Sequence, residues 1–222
     1  MLSSLMYAVS FALADSVNAL LIGVTVAIGI MLPRGQYKVI APLLILGDWT
    51  GVFLLSILTM LVFDGIKDYV DAVLESPVLG WILILIGLAA AVMAWRQRPG
   101  ESNALVQKML GPLRTPSPLT FLTGLVLGLA QSITSGPFFI GLLHLSAGDF
   151  SAWVRYGGLA IYASLALSLP TLVAVFVGIV RRRPESAAGR LFAKARENKD
   201  AVTKTGSYVV AAFLVFMGLV SL

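Results

Sequence analysis

The chain has 222 residues, 58% hydrophobic and only 12% charged, with a formal net charge of +5. Soluble domains carry about 25% charged residues, so the composition excludes an ordinary water-soluble fold and points to one integral membrane domain. The absence of cysteine excludes thiol redox chemistry and iron–sulfur clusters, and one histidine cannot build a histidine-rich metal site, so no cofactor is expected.

Six apolar runs are long enough to cross a bilayer, which needs about 20 residues per helix. Span 1 covers about Ser4 to Leu32 and ends at Pro33-Arg34-Gly35. No Lys or Arg precedes it and Asp15 interrupts it, so it reads as structure rather than as a signal peptide. Span 2 covers about Val39 to Val62, with Gly47-Asp48 near its middle. Span 3 covers about Val78 to Trp95, after Pro77, with Trp81 and Trp95 as interfacial anchors. Spans 4, 5 and 6 cover about Leu119 to Ser146, Ala152 to Val180 (with Pro170 inside) and Gly206 to Leu222.

Loop charge sets the expected orientation. The connections after spans 1, 3 and 5 hold 14 of the 16 basic residues, and should face the cytoplasm. The opposite side keeps Lys67 and Arg155 beside Asp64, Asp68, Asp71, Glu75 and Asp149. Both termini then lie outside a multi-pass protein of the plasma (inner) membrane. Between spans 2 and 3, Ile66, Tyr69, Val70, Val73 and Leu74 follow helical spacing behind Asp64, a suitable N-cap, so an interfacial surface helix is expected over 64–76. The basic stretch 184–204 suits topology and contact with anionic lipid, not nucleic acid.

Two short polar stretches match across the chain. Leu13 to Asn18 reads LADSVN and Leu129 to Thr134 reads LAQSIT, at a constant offset of about 116 residues. They fall in spans 1 and 4, which run in opposite directions in this topology. The chain then divides into inverted repeats, about 1–95 and about 118–222, joined by a cytoplasmic linker 96–117. Inverted repeats are a common transporter construction, with the binding site at the midplane between them. The expected fold class is therefore an all-α membrane protein of six transmembrane helices in two inverted three-helix repeats.

The stretches ALADSVNALLIG (Ala12 to Gly23) and AQSITSGPFFIG (Ala130 to Gly141), with the six-span layout, resemble the lysine exporter (LysE) superfamily. Within it the likeness is to the mycobacterial glycopeptidolipid- and sulfolipid-addressing (GAP/Sap) family. Members usually place a proline soon after the first polar core; here Ala19 and Leu20 follow Asn18, and only Pro137 in the second half fits. The resemblance implies transport or export of amino acids, metal ions or envelope lipids.

The candidate site residues follow from depth and polarity. Asp15 and Asp48 sit near the centres of spans 1 and 2, where a carboxylate costs about 2.5–3.5 kcal/mol on insertion scales. With no Lys or Arg deep in any span, they serve as proton carriers or cation ligands, or else as hydrogen-bonded locks between helices. Ser16 and Asn18 share the first polar core. Gln131, Ser132, Thr134, Ser135, Gly136 and Pro137 form the second, where Pro137 frees the carbonyl near Ile133 and opens the helix to a polar cavity. His144 is a candidate proton relay, and Ser164 and Ser168, beside Pro170, are candidates to line the same cavity. Gly87, Gly124 and Gly128 read as close-packing positions. No residue pattern marks an enzyme or names a metal.

The expected activity is a proton- or cation-coupled exporter of a small solute or envelope lipid through a midplane site. The alternative is a non-transporting membrane scaffold or accessory protein for cell-envelope glycolipid export. Membrane lipids and a small solute, ion or lipid substrate are the expected partners, with a homo-oligomer or an envelope-export partner compatible with either reading.

Overall fold

A computed structural model describes residues 2–32, 34–66, 72, 76–96, 113, 115–148, 150–182, 185–187, 189–190, 208, 212, 215–216 and 219. Most of the sixth expected span, of the expected surface helix, of the linker 96–117 and of the basic stretch 184–204 lies outside these residues. The described elements are all α-helices: α1 (Leu2–Asp15), α2 (Ala19–Met31), α3 (Arg34–Gly65), α4 (Pro77–Arg96), α5 (Pro118–Ile133), α6 (Gly136–Ala147), α7 (Ala152–Ala166) and α8 (Ser168–Val180).

One helix, Gly35–Gly65, is by itself long and apolar enough to cross a membrane. Three further pairs pass that test together but are bent: α1 with α2 by 45°, α5 with α6 by 77°, and α7 with α8 by 43°. The described residues thus hold up to four spans, if each bent pair is one span. The outer surface agrees with an apolar solvent. Leu46, Leu54, Leu58 and Leu61 on α3, Leu122 and Val126 on α5, and Ile161, Leu172 and Val175 on α7 and α8 are all exposed. Monomers that live in water rarely show such a continuous apolar coat.

α3 starts at Arg34, before the expected Val39, and runs on to Gly65. Lys38 is therefore helical rather than in a loop. Asp64 lies in the last turn of α3 instead of capping a surface helix. At 1.5 Å per residue, Lys38 and Asp64 are about 39 Å apart along the axis. A hydrocarbon core is about 30 Å thick, so both charged ends reach past it while Asp48, close to the helix midpoint, stays within it. Pro42 is accommodated inside α3.

The core is a crossing of α3 with α5, the most extensive packing between any two described helices. Two small-residue pairs face each other there. A Cβ added at Gly47 or Gly51 would overlap the carbonyl oxygens of Phe121 or Leu125, and one at Gly124 or Gly128 would overlap those of Leu44 or Asp48. Without a hydrophobic drive between helices in lipid, such close backbone approach supplies the packing energy. The order of these contacts makes α3 and α5 parallel. α2 and α8 are parallel too: Gly29 meets Val177, and the Arg181 guanidinium donates to the Leu32 carbonyl at the end of α2. α1 lies antiparallel to α6, since Tyr7 meets His144, Phe11 meets Gly141 and Asp15 meets Ser135, and it also touches α7.

Candidate functional site

Each half contains a helix break at its polar core, made by different means. In the first half, α1 stops at Asp15 and the chain turns through Ser16, Val17 and Asn18. The Ser16 hydroxyl donates back to the Leu13 carbonyl at 2.6 Å. Asn18, with extended backbone, caps α2: its Oδ1 accepts the Leu21 N–H at 2.9 Å. Asparagine is among the best N-cap residues, so the break forms although no proline is present. In the second half Pro137 has no N–H for the Ile133 carbonyl and its ring crowds that turn, so α5 ends at Ile133. Ser135 caps α6, its Oγ accepting the Phe138 N–H at 3.2 Å. The break expected at Gly136-Pro137 is therefore present, and Pro137 itself is buried at the start of α6.

The two breaks meet, and the caps are linked to carboxylates, Ser135 directly and Asn18 through Gln131. The Ser135 hydroxyl donates to Asp15 Oδ1 across the halves. Asn18 Nδ2 donates to Gln131 Oε1, and Gln131 Nε2 donates to both oxygens of Asp48, at 2.9 Å each. Every donor in this chain points the same way, from the start of α2 through Asn18 and Gln131 to Asp48. A second, shorter chain runs from the start of α6 through Ser135 to Asp15. Helix starts carry positive partial charge, so both relays bring that polarity toward an acid.

Asp48 is fully buried, beside Gly128 in the α3–α5 crossing. Asp15 is half-buried. Among the described residues neither acid has a cationic partner; the ion pair recorded there joins Arg155 to Asp64 at the far end of α3. An isolated buried carboxylate is too costly to keep ionised. The arrangement therefore suits acids that hold a proton, or that bind a cation along with donors and open backbone. Among the described residues no three His, Cys, Asp or Glu side chains converge to hold a metal ion.

Not every expected residue joins this cluster. Asp15, Asn18, Asp48 and Gln131 are brought together, with Ser135 rather than Thr134 as the hydroxyl that meets an acid. Thr134 is exposed and its hydroxyl donates to its own helix, to Ala130 and Gln131 carbonyls at 3.3 and 3.0 Å. Ser16 is likewise committed to Leu13, and Ser132 is buried in α5. Gly136 opens α6. His144 stacks on Tyr7 at 4.8 Å and on Phe11 at 5.9 Å, so it fastens α6 to α1 away from the acids. Ser164 and Ser168 do not line the acidic cluster. They face a separate groove between α3 and α8, where Ser164 accepts the Trp49 indole N–H at 3.2 Å and donates to the Ala160 carbonyl.

Two contributors were not singled out from the sequence. Tyr162 of α7 is buried and donates to the Pro137 carbonyl at 3.2 Å, which steadies the start of α6. The spacing Gly47-x-x-x-Gly51 was a usable signal, matching Gly124-x-x-x-Gly128 on the helix it packs against. Comparison with family models, curated proteins and solved structures finds no match to this chain.

Proposed function

We propose that the chain is a multi-pass membrane carrier, a proton- or cation-coupled exporter of a small solute or envelope lipid. The observation that carries this reading is the meeting of two broken helices at two acids that have no cationic partner among the described residues. Broken helices whose half-helix starts converge near the midplane are how many carriers build substrate and ion sites. Asp15 and Asp48 take up and release the coupling ion. Asn18, Gln131 and Ser135 hold the acids in the resting state and exchange these hydrogen bonds for substrate. Alternating access follows from rocking one half against the other about the α3–α5 crossing.

The topology belongs to the same proposal. Six spans form two inverted three-helix repeats in the plasma membrane, with both termini outside. The parallel pairs α3 with α5 and α2 with α8 support it, because inversion about the repeat requires each of those pairs to run in one direction. Two of the paired contacts also exchange under such an inversion, α2 with α8 for α6 with α3 and α1 with α7 for α5 with α3, whereas α1 with α6 has no comparable α5–α2 packing. The lysine-exporter resemblance points to the same class of activity.

The test is Asp15→Asn in reconstituted vesicles loaded with an extract of cell metabolites and lipids. The wild type accumulates or expels at least one species under an imposed proton or cation gradient, and Asp15→Asn loses that dependence. Full gradient-driven movement by the variant would remove the coupling. No movement of any species by the wild type would favour the scaffold.

A further inference from the structure

A groove of about 1200 Å³ runs along the flank of the bundle between the first half of α3 and α8. Ordinary small-molecule pockets hold about 300–1,000 Å³, so this one fits a larger ligand. Its walls are apolar, from Ala41, Ile45 and Leu46 on α3 and Leu172, Val175 and Ile179 on α8. One end carries three cations: Lys38, Arg181 and Arg182. No acidic residue lines it among the described residues.

Two of the cations are exposed, and the third is set in place by the fold. Lys38 and Arg182 face outward. The Arg181 guanidinium donates to the Leu32 carbonyl and lies 5.0 Å from the centre of the Tyr37 ring. Tyr37 is itself tied to α8 through the Ala174 carbonyl. The basic end is thus rigid on one side and free on the other. From Lys38 the groove follows α3 to Trp49, about 16 Å at 1.5 Å per residue. That is about half of a 30 Å hydrocarbon core, the depth of one leaflet.

We propose that this groove holds one anionic phospholipid. Its phosphate sits among Lys38, Arg181 and Arg182, and an acyl chain lies along α3 as far as Trp49. Charge at one end, apolar walls and one-leaflet length are the three features such a lipid matches. A zwitterionic lipid uses the walls but gains less from the cations. The site requires that the chain be embedded in a bilayer and requires no part of the carrier mechanism.

Native mass spectrometry of the full chain in detergent tests this, with phosphatidylglycerol and phosphatidylcholine offered in equal amounts. The wild type retains phosphatidylglycerol in preference. Each basic residue near a membrane surface is worth about 1 kcal/mol, so the preference falls about fivefold for each cation removed. Lys38→Gln with Arg182→Gln should lower it about 25-fold and leave the share of Arg181, with circular dichroism unchanged because both side chains are exposed. Lys38→Glu with Arg182→Glu should exclude the anionic lipid. Equal retention of the two lipids by the wild type would overturn the proposal. So would an unchanged preference in either double variant, or a crosslink placing 206–222 of this chain in the groove. Flux is not measured, so a failure here leaves the carrier reading intact, and the reverse also holds.

Discussion

The break in the first half and the break in the second do related jobs with opposite resources. The first has the acid, Asp15, and no proline; it bends by 45° and depends on the Asn18 side chain as a cap. The second has an amide, Gln131, where the first has the acid, and Pro137 with Ser135; it bends by 77°. One half supplies titratable chemistry and the other supplies fixed backbone geometry. Each then completes the other, since Ser135 serves Asp15 and Gln131, held by Asn18, serves Asp48. Two halves of a chain need not be copies to form one site; they need only place complementary groups side by side.

The severest way to break the comparison is to separate the helices on which both breaks rest. Gly128→Leu drives a side chain into the Asp48 backbone carbonyl. Overpacking commonly costs 1–3 kcal/mol, and against backbone the loss should exceed about 3 kcal/mol in a detergent unfolding titration. Gly157→Leu, where nothing lies within 4 Å of an added Cβ, should change stability little. Equal effects at the two glycines would mean that the crossing is not what holds the site.

Gln131→Leu comes next. It removes the donor to both oxygens of Asp48 and strands the Asn18 amide. Leaving a buried polar group without its partner costs about 1–3 kcal/mol, so a loss of about 2–3 kcal/mol is expected in the same titration. A neutral result would make the amide in the second half a bystander.

The sharpest contrast is between Asn18→Ala and Pro137→Ala. The first should cost about 1–2 kcal/mol, from the lost cap and the partner left at Gln131. The second restores an N–H that the Ile133 carbonyl can take, so stability should hold within about 1 kcal/mol while transport falls. Matching stability losses would erase the distinction between side-chain and backbone breaks. The smallest effect belongs to the Arg155–Asp64 pair, which lies partly exposed at the far end of α3 and also accepts from Tyr156. Asp64→Asn should cost less than about 1 kcal/mol, because near-surface ion pairs seldom give more.

Much of this was readable from residue order, and the omissions have physical causes. The apolar runs, the burial of Asp48 and the Pro137 break follow from solvation cost and a missing donor, both local properties. The first break was harder to read, because Ala19 and Leu20 are good helix formers and the decisive element is a hydrogen bond from Leu21 to the Asn18 side chain. α3 runs past both expected ends of span 2, Val39 and Val62, because charges such as Lys38 and Asp64 end an apolar run without ending a helix. Which hydroxyl meets Asp15 could not come from periodicity: Ser135 and Thr134 are neighbours, and only the 77° turn decides between them. The groove beside Ser164 and Ser168 needs the α3–α8 packing, which joins residues as far as 137 apart in sequence.

Movement of the coupling ion is the most direct test of the central claim. Vesicles carrying the wild type, Asp15→Asn or Asp48→Asn would contain dyes for protons and alkali cations, and would be challenged with a gradient of the species identified by the metabolite assay. The account predicts proton or cation flux in step with that species for the wild type, and loss of the coupled flux in both variants. Equal coupled flux in the wild type and in Asp48→Asn would contradict it.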